Sequence, residues 1–242
     1  MPSPFLFTPA FERAVEQALS PATFDAYRPL TRTTAFTDCL DLYTANTALS
    51  EALLGPMQTV EVAVRTAIRA RLQHSFGVSW FRSGVLDFPP QSDSARALAT
   101  LTLRYQQRKG HDGSPLYPTD EALGAVISNE LTLGFWCSLF DKSFEELWRH
   151  CLRHAFPHVG RGLTRKEVSR RLHEIRRLRN RIAHHEQIVR YDLLYHYNAI
   201  VELMSFLNPI AAVWMSHHNR FQAVYREWQS LLPNPDQGPR SN

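Results

Sequence analysis

Apolar residues recur at three- and four-residue intervals along nearly all of the 242-residue chain, and alternating runs rich in β-branched residues are almost absent. That period is helical, so the pattern predicts an all-α protein, and amphipathic segments in series predict a helical bundle. A short helix over about 8–19 opens the series, and Ser20-Pro21 offers the cap and first-turn proline of a second. A longer helix over about 35–54 should kink or break at Gly55-Pro56, where an amide is missing and the ring meets the preceding turn. The next carries Met57, Val60, Val64, Ile68 and Leu72 on one stripe, with Glu61 and Arg65 one step round it as an i, i+4 pair. Helices are predicted near 92–109, 120–127, 131–140 and 144–156, with breaker-rich loops over 110–118 and 157–162. Thr164 and Glu167 read as a capping box opening a helix that runs to about 183. Two more helices follow, the first with Leu193, Tyr197, Ile200, Met204 and Leu207 on its inner stripe. The organisation expected is a helical extension over 1–34, one helical domain over 35–231 and a disordered tail over 232–242.

Composition agrees with a sizeable core: 44% of residues are hydrophobic and 21% charged, which excludes disorder for most of the chain, and few glycines and no internal period exclude collagen-like repeats and solenoids. The N-terminus lacks the basic start and apolar run of a secretory signal, and no stretch approaches the ~18 apolar residues of a membrane span. A cytoplasmic address without a membrane partner is the expectation. Cys39, Cys137 and Cys151 stand without C-x-x-C spacing, as core residues of a reducing compartment do.

Charge changes the picture. Between Arg153 and Arg190 eleven Lys/Arg face three Asp/Glu, a local +8 in a chain of net +4, which leaves the rest at −4. A solvated helix face is the ordinary reason for such a run, but one basic segment in an otherwise acidic chain is also the footprint of a surface that meets a polyanion. It lacks the interleaved aromatics of a membrane-surface helix, so nucleic acid is the expected partner.

Within that segment Val168, Leu172, Ile175 and Ile182 form a core stripe, and at 100° per residue Arg179 falls inside its arc. A buried guanidinium needs an acceptor, such as Glu61 or Glu174 in an ion pair, or a ligand. Asn180 and His184-His185-Glu186 follow. On a continued helix His184 would lie about 140° round from Arg179 and about 7.5 Å further along. The two can meet at one phosphate either if the helix ends there and turns, or if two copies pack across a two-fold axis. The residue types suit metal-free RNA cleavage. Histidine can take the 2′-OH proton and return one to the leaving 5′-oxygen, arginine offers a planar fork for phosphate, and Asn180 can hold either in place. Arg176, Arg177 and Arg181, with His185, would draw in and orient the RNA backbone.

The string Arg179-Asn-Arg-Ile-Ala-His184 resembles the Arg-polar-x-x-x-His signature of HEPN-domain ribonucleases. Leu178 to Glu186 resembles that signature as it occurs in the Abi-like proteins of bacterial abortive infection. Glu61-Val-Ala-Val-Arg65 and Glu130-Leu-Thr-Leu-Gly-Phe-Trp136 are similar to two further blocks of that family, and the likeness spans about residues 35–210. The early block departs from the usual pattern in having Thr66 where Asn is customary, which puts the supporting role of Glu61 and Arg65 in doubt. The resemblance implies a HEPN-like helical bundle and a homodimer with facing motifs. It implies an endoribonuclease needing neither metal nor cofactor, a toxin of phage defence or of a toxin–antitoxin pair, restrained by an antitoxin protein or RNA. It also implies roles: Arg179 on the scissile phosphate, His184 in proton transfer, Asn180 in support.

Plainer readings stand beside these. Trp136 with Leu133 and Phe140 reads as core packing. His150 and His154 have an i, i+4 spacing but no third ligand. Gly160-Arg-Gly162 ahead of Thr164 matches no nucleotide fingerprint, though a helix N-terminus there could hold a phosphate. The whole could also be a catalytically silent HEPN-type module that binds RNA or protein, with Arg179 and Asn180 at an interface. A DNA-binding repressor is disfavoured because no helix-turn-helix pair stands out.

Overall fold

The computed structural model describes residues 8–31, 35–89, 91–159 and 162–231. Among them it is all-α, as the apolar period predicts: eleven α-helices, three short 3-10 turns and one isolated bridge between Lys109 and Pro115. The expected tail over 232–242 lies outside the described residues.

The spine is α3 (Phe36–Phe76), which lies at the centre of the bundle because its inner stripe is apolar along nearly its whole length, Asn46 being the buried polar exception. Leu49, Leu53, Met57, Val60, Val64, Ile68 and Leu72 are all buried. The break expected at Gly55-Pro56 does not occur, and α3 is continuous through Pro56. Proline frees the carbonyl four residues earlier, on Ala52, and the Asn219 side-chain amide donates to it at 2.8 Å. With that acceptor satisfied and Pro56 itself buried, packing overrides the local preference.

Around α3 stand α1 (Pro9–Leu19), α2 (Pro21–Asp25), α4 (Asp93–Gln106), α5 (Asp120–Glu130), α6 (Leu133–Ser138) and α7 (Glu145–His150). The helix expected over 144–156 is shorter than predicted, because α7 stops at His150 and passes into a 3-10 turn over Leu152–Ala155. Then come α8 (Arg165–Ala183), α9 (Leu193–Leu207), α10 (Pro209–His218) and α11 (Phe221–Leu231), three helices after the basic one rather than two. The N-terminal segment is part of the core: Phe24 and Tyr27 are buried, and their rings meet Tyr43 of α3. Trp80, Phe81 and Trp136 fill the space between α3, α5 and α6, with Trp136 wholly inside, so its packing role holds.

Asp120 opens α5 and ties it to the loop after α3, accepting from Ser79 Oγ and from Arg82 Nε at 2.8 Å. Those donors hold its carboxyl well below the usual 3.8, at about 2. No helix among the described residues is long and apolar enough to cross a membrane.

Candidate RNA-binding clefts at the end of helix α8

Helix α8 begins where the sequence says it should. Thr164 Oγ1 accepts from the Glu167 amide at 3.3 Å, and the Glu167 carboxylate returns to the Thr164 amide at 2.9 Å. The capping box gives the Thr164 amide to the chain's own Glu167 carboxylate; Gly160 and Arg161, part of the phosphate position considered ahead of Thr164, lie outside the described residues. Val168, Leu172, Ile175, Leu178 and Ile182 are the buried stripe, packed against α3, α6 and α9.

Arg179 is not buried, contrary to the expectation from its place in the arc. Leu178 takes the core position, and the arc at the level of Arg179 opens onto a cleft instead of onto packed side chains. It donates to Asn180 Oδ1 at 3.5 Å, and no ion pair with Glu61 or Glu174 forms. Glu174 is engaged elsewhere, by Arg170 Nη1 at 2.9 Å.

The cleft beside Arg179 has a volume of about 380 Å³. Three separate stretches wall it: Glu61 and Arg65 from α3, residues 129–134 at the α5–α6 turn, and Arg176, Arg179 and Asn180 from α8. Arg65 does not pair with Glu61 as its spacing predicts; it reaches across to the Asn129 carbonyl at 3.4 Å. Arg176 lies over Gly134, where a Cβ would come within 3.1 Å of its guanidinium carbon. A side chain at position 134 would make that guanidinium give way by a few tenths of an ångström. No carboxylate comes within ion-pair distance of Arg65, Arg176 or Arg179 among the described residues, while Arg165, Arg170, Arg171 and Arg181 each hold one. Beneath the cleft the Cys137 thiol is pushed up to about 12, chiefly by burial and against the pull of Arg176.

Arg177 and Arg181, expected to act with Arg176, project to the other side of α8. They line a second cleft of about 270 Å³ with Glu174, Leu178, Tyr191, Tyr195 and His196. Arg181 is bound to Glu186 at 2.6 Å and lies 4.9 Å from the centre of the Tyr191 ring. Burial lowers the His196 imidazole below its ordinary 6.5 and so favours the neutral ring.

His184 and His185 line neither cleft. The helix ends at Ala183 with His184 as its cap, one turn beyond Asn180, whose carbonyl accepts the His184 amide at 2.9 Å. The His185 amide returns to the Ile182 carbonyl at 3.0 Å and the Glu186 amide to that of Arg181 at 2.9 Å, a Schellman turn. His185 takes the left-handed position with φ of 57°, where glycine is the usual residue. So the condition that the helix ends and turns at the histidines is met within one chain. Both rings are exposed.

The reversed segment is then pinned. The Ile188 and Val189 amides donate to Asn46 Oδ1 of α3 at 2.7 and 3.3 Å, inside the core. Gln187 and Arg190 side chains both donate to the Ala26 carbonyl at 3.2 Å. Asn46, Gly134 and the rings of the second cleft were not singled out from the sequence. Asn46 had a signal, a polar residue on the inner stripe between Cys39 and Leu49, and Gly134 another, a glycine inside a helical apolar run.

His150 Nε2 sits 3.2 Å from Glu146, and no group of three or more His, Cys, Asp or Glu able to hold a metal occurs among the described residues. Compared with known families, the chain matches that of the Abi-like proteins over residues 10–190. The chain belongs to the Abi-like protein family. No curated protein and no solved structure matches it. In this Abi-like protein the first cleft and the histidine turn fall wholly within the matched stretch. The aromatic wall of the second cleft, from Tyr191 onward, falls beyond it.

Proposed function

We propose that this Abi-like protein is a metal-independent endoribonuclease of the HEPN type, a toxin of abortive infection against phage or of a toxin–antitoxin pair. The observation that carries the reading is the set of three guanidiniums, Arg65, Arg176 and Arg179, lining one cleft with no ion-pair partner among the described residues, and an exposed histidine pair that begins five residues after Arg179. Unpaired guanidiniums converging on a concavity are a receptor for phosphate oxygens. On this reading Arg179 and Arg176 grip the scissile phosphate and Asn180 donates a hydrogen bond to it. His184 removes the 2′-OH proton, and the oxygen so freed attacks phosphorus. The 5′-oxygen leaves with a proton supplied by an imidazolium, and a 2′,3′-cyclic phosphate remains. A homodimer would bring His184 of each chain to a shared RNA strand, and an antitoxin protein or RNA would cover the clefts.

The test is incubation of wild type, His184→Ala and Arg179→Ala with total RNA in excess EDTA, followed by end-group analysis. Fragments ending in cyclic phosphate are expected from wild type alone, and growth arrest on overexpression should depend on His184 in the same way. Cleavage by His184→Ala at the wild-type rate would overturn the assignment. The position of His184 outside the cleft lining favours one second reading, a silent RNA- or protein-binding module. On that reading wild type binds but produces no fragments, and Arg179→Ala loosens the assembly.

A further inference from the structure

The second cleft has a chemistry of its own. Tyr195 is 45% exposed at its mouth, yet its ring is held: Arg170 donates to the phenol oxygen at 2.7 Å, and the phenol lies 3.3 Å from the Glu174 carboxylate. His196 meets Tyr195 at 71°, ring centres 5.6 Å apart, and stands at the same angle to Tyr191, 6.4 Å away. The face of Tyr191 is taken by Arg181, whereas no cation lies over the ring of Tyr195 among the described residues, and that residue is nearly half exposed. Arg177 lines the same cleft, exposed and without a carboxylate partner among the described residues. The carboxylate that lines the cleft, Glu174, is neutralised by Arg170, and Glu186 beside it by Arg181.

A rigid, half-open aromatic ring beside an unpaired guanidinium is a receptor for a nucleotide unit, base on ring and phosphate on cation. A ring already fixed by two hydrogen bonds loses little freedom on stacking. We propose that this cleft is a base-stacking subsite for single-stranded RNA, with Tyr195 as the platform and Arg177 as the phosphate contact. It lies across α8 from the Arg176–Arg179 cleft. The inference rests on the RNA reading above and adds a path: the strand crosses the end of α8 over the His184–His185 turn, with one cleft on either side. The two are separated by one helix width, about 10 Å, a distance a few nucleotides span.

The experiment uses the full chain and a short single-stranded oligonucleotide whose riboses are all 2′-O-methylated, so that attack by the 2′-oxygen is blocked and binding is read apart from cleavage. 2-Aminopurine is placed at each position in turn. At one position its fluorescence should fall on binding to wild type and to Tyr195→Phe, which keeps the ring. Tyr195→Ala should lose that quenching and bind on the order of tenfold more weakly. Arg177→Ala should weaken binding comparably while the base still stacks at saturation. Circular dichroism melting confirms that each variant is folded. Wild-type affinity and quenching in both Tyr195→Ala and Arg177→Ala, with binding still weakened by Arg179→Ala, overturns the subsite and leaves the first cleft's role intact. No binding by wild type at low salt overturns the RNA reading and the subsite with it. Competition by adenosine monophosphate at the same concentration as the oligonucleotide makes this a pocket for free nucleotide and overturns the strand path.

Discussion

His185 carries a side chain where the turn after α8 calls for glycine, at φ of 57°. The left-handed conformation costs such a residue about 1 kcal/mol, and glycine returns part of any gain through the entropy of its unfolded chain. His185→Gly should therefore raise stability by about 0.5 kcal/mol, read as a higher urea midpoint at unchanged slope. A lower midpoint would mean that the imidazole makes contacts worth more than the strain. If stability rises while RNA affinity falls, the histidine is kept for the strand rather than for the turn. Arg179 shows the limit of reading one residue from a helical wheel. Its angle was legible in the spacing of Val168, Leu172 and Ile175, but whether that arc faces core or cleft depends on residues 129–134, and nothing within α8 reports where they lie.

The helices themselves were largely legible, because period and caps are local. Thr8, Ser92, Thr119, Thr164 and Asn208 each accept from an amide of the first turn of the helix they begin. The continuity of α3 through Pro56, where a break was the alternative to a kink, has a non-local cause, since the group that satisfies the Ala52 carbonyl comes from the far end of the sequence. The α5 junction yields a pH prediction. Asp120 has a folded value near 2 against an ordinary 3.8, so it binds its proton more readily in the unfolded chain. Its contribution is full above about pH 4 and is lost as pH falls toward 2. Urea midpoints of wild type and Asp120→Asn should thus differ at pH 7 and converge at pH 2. A gap that stays constant across that range would show that Asp120 acts through something other than its charge.

For the whole molecule, the basic segment read from the sequence as one footprint becomes two faces of a single helix, one walled by α3 and the α5–α6 turn, the other by α9. Net charge along the chain locates such a surface but does not divide it, because Arg176 and Arg177 are neighbours in sequence and diverge by 100° on the helix. The N-terminal residues, read as an extension, hold the histidine turn through the Ala26 carbonyl. The amide of Asn219 acts at longer range still: it donates to Ala52 and, through Oδ1, accepts from the Phe221 amide at 2.7 Å at the start of α11. Without that side chain, as in Asn219→Ala, the Ala52 carbonyl is orphaned at about 1–3 kcal/mol, and a proline kink of 20° or more becomes the cheaper shape for α3. Arg65 lies nine residues past Pro56, about 13.5 Å along the axis, so that bend would swing it by about 5 Å. Asn219 is thus the fulcrum of a lever whose far arm is one wall of the Arg65–Arg176–Arg179 cleft. A chain cut back to the family-matched stretch would keep every cationic group of that cleft yet lose their alignment.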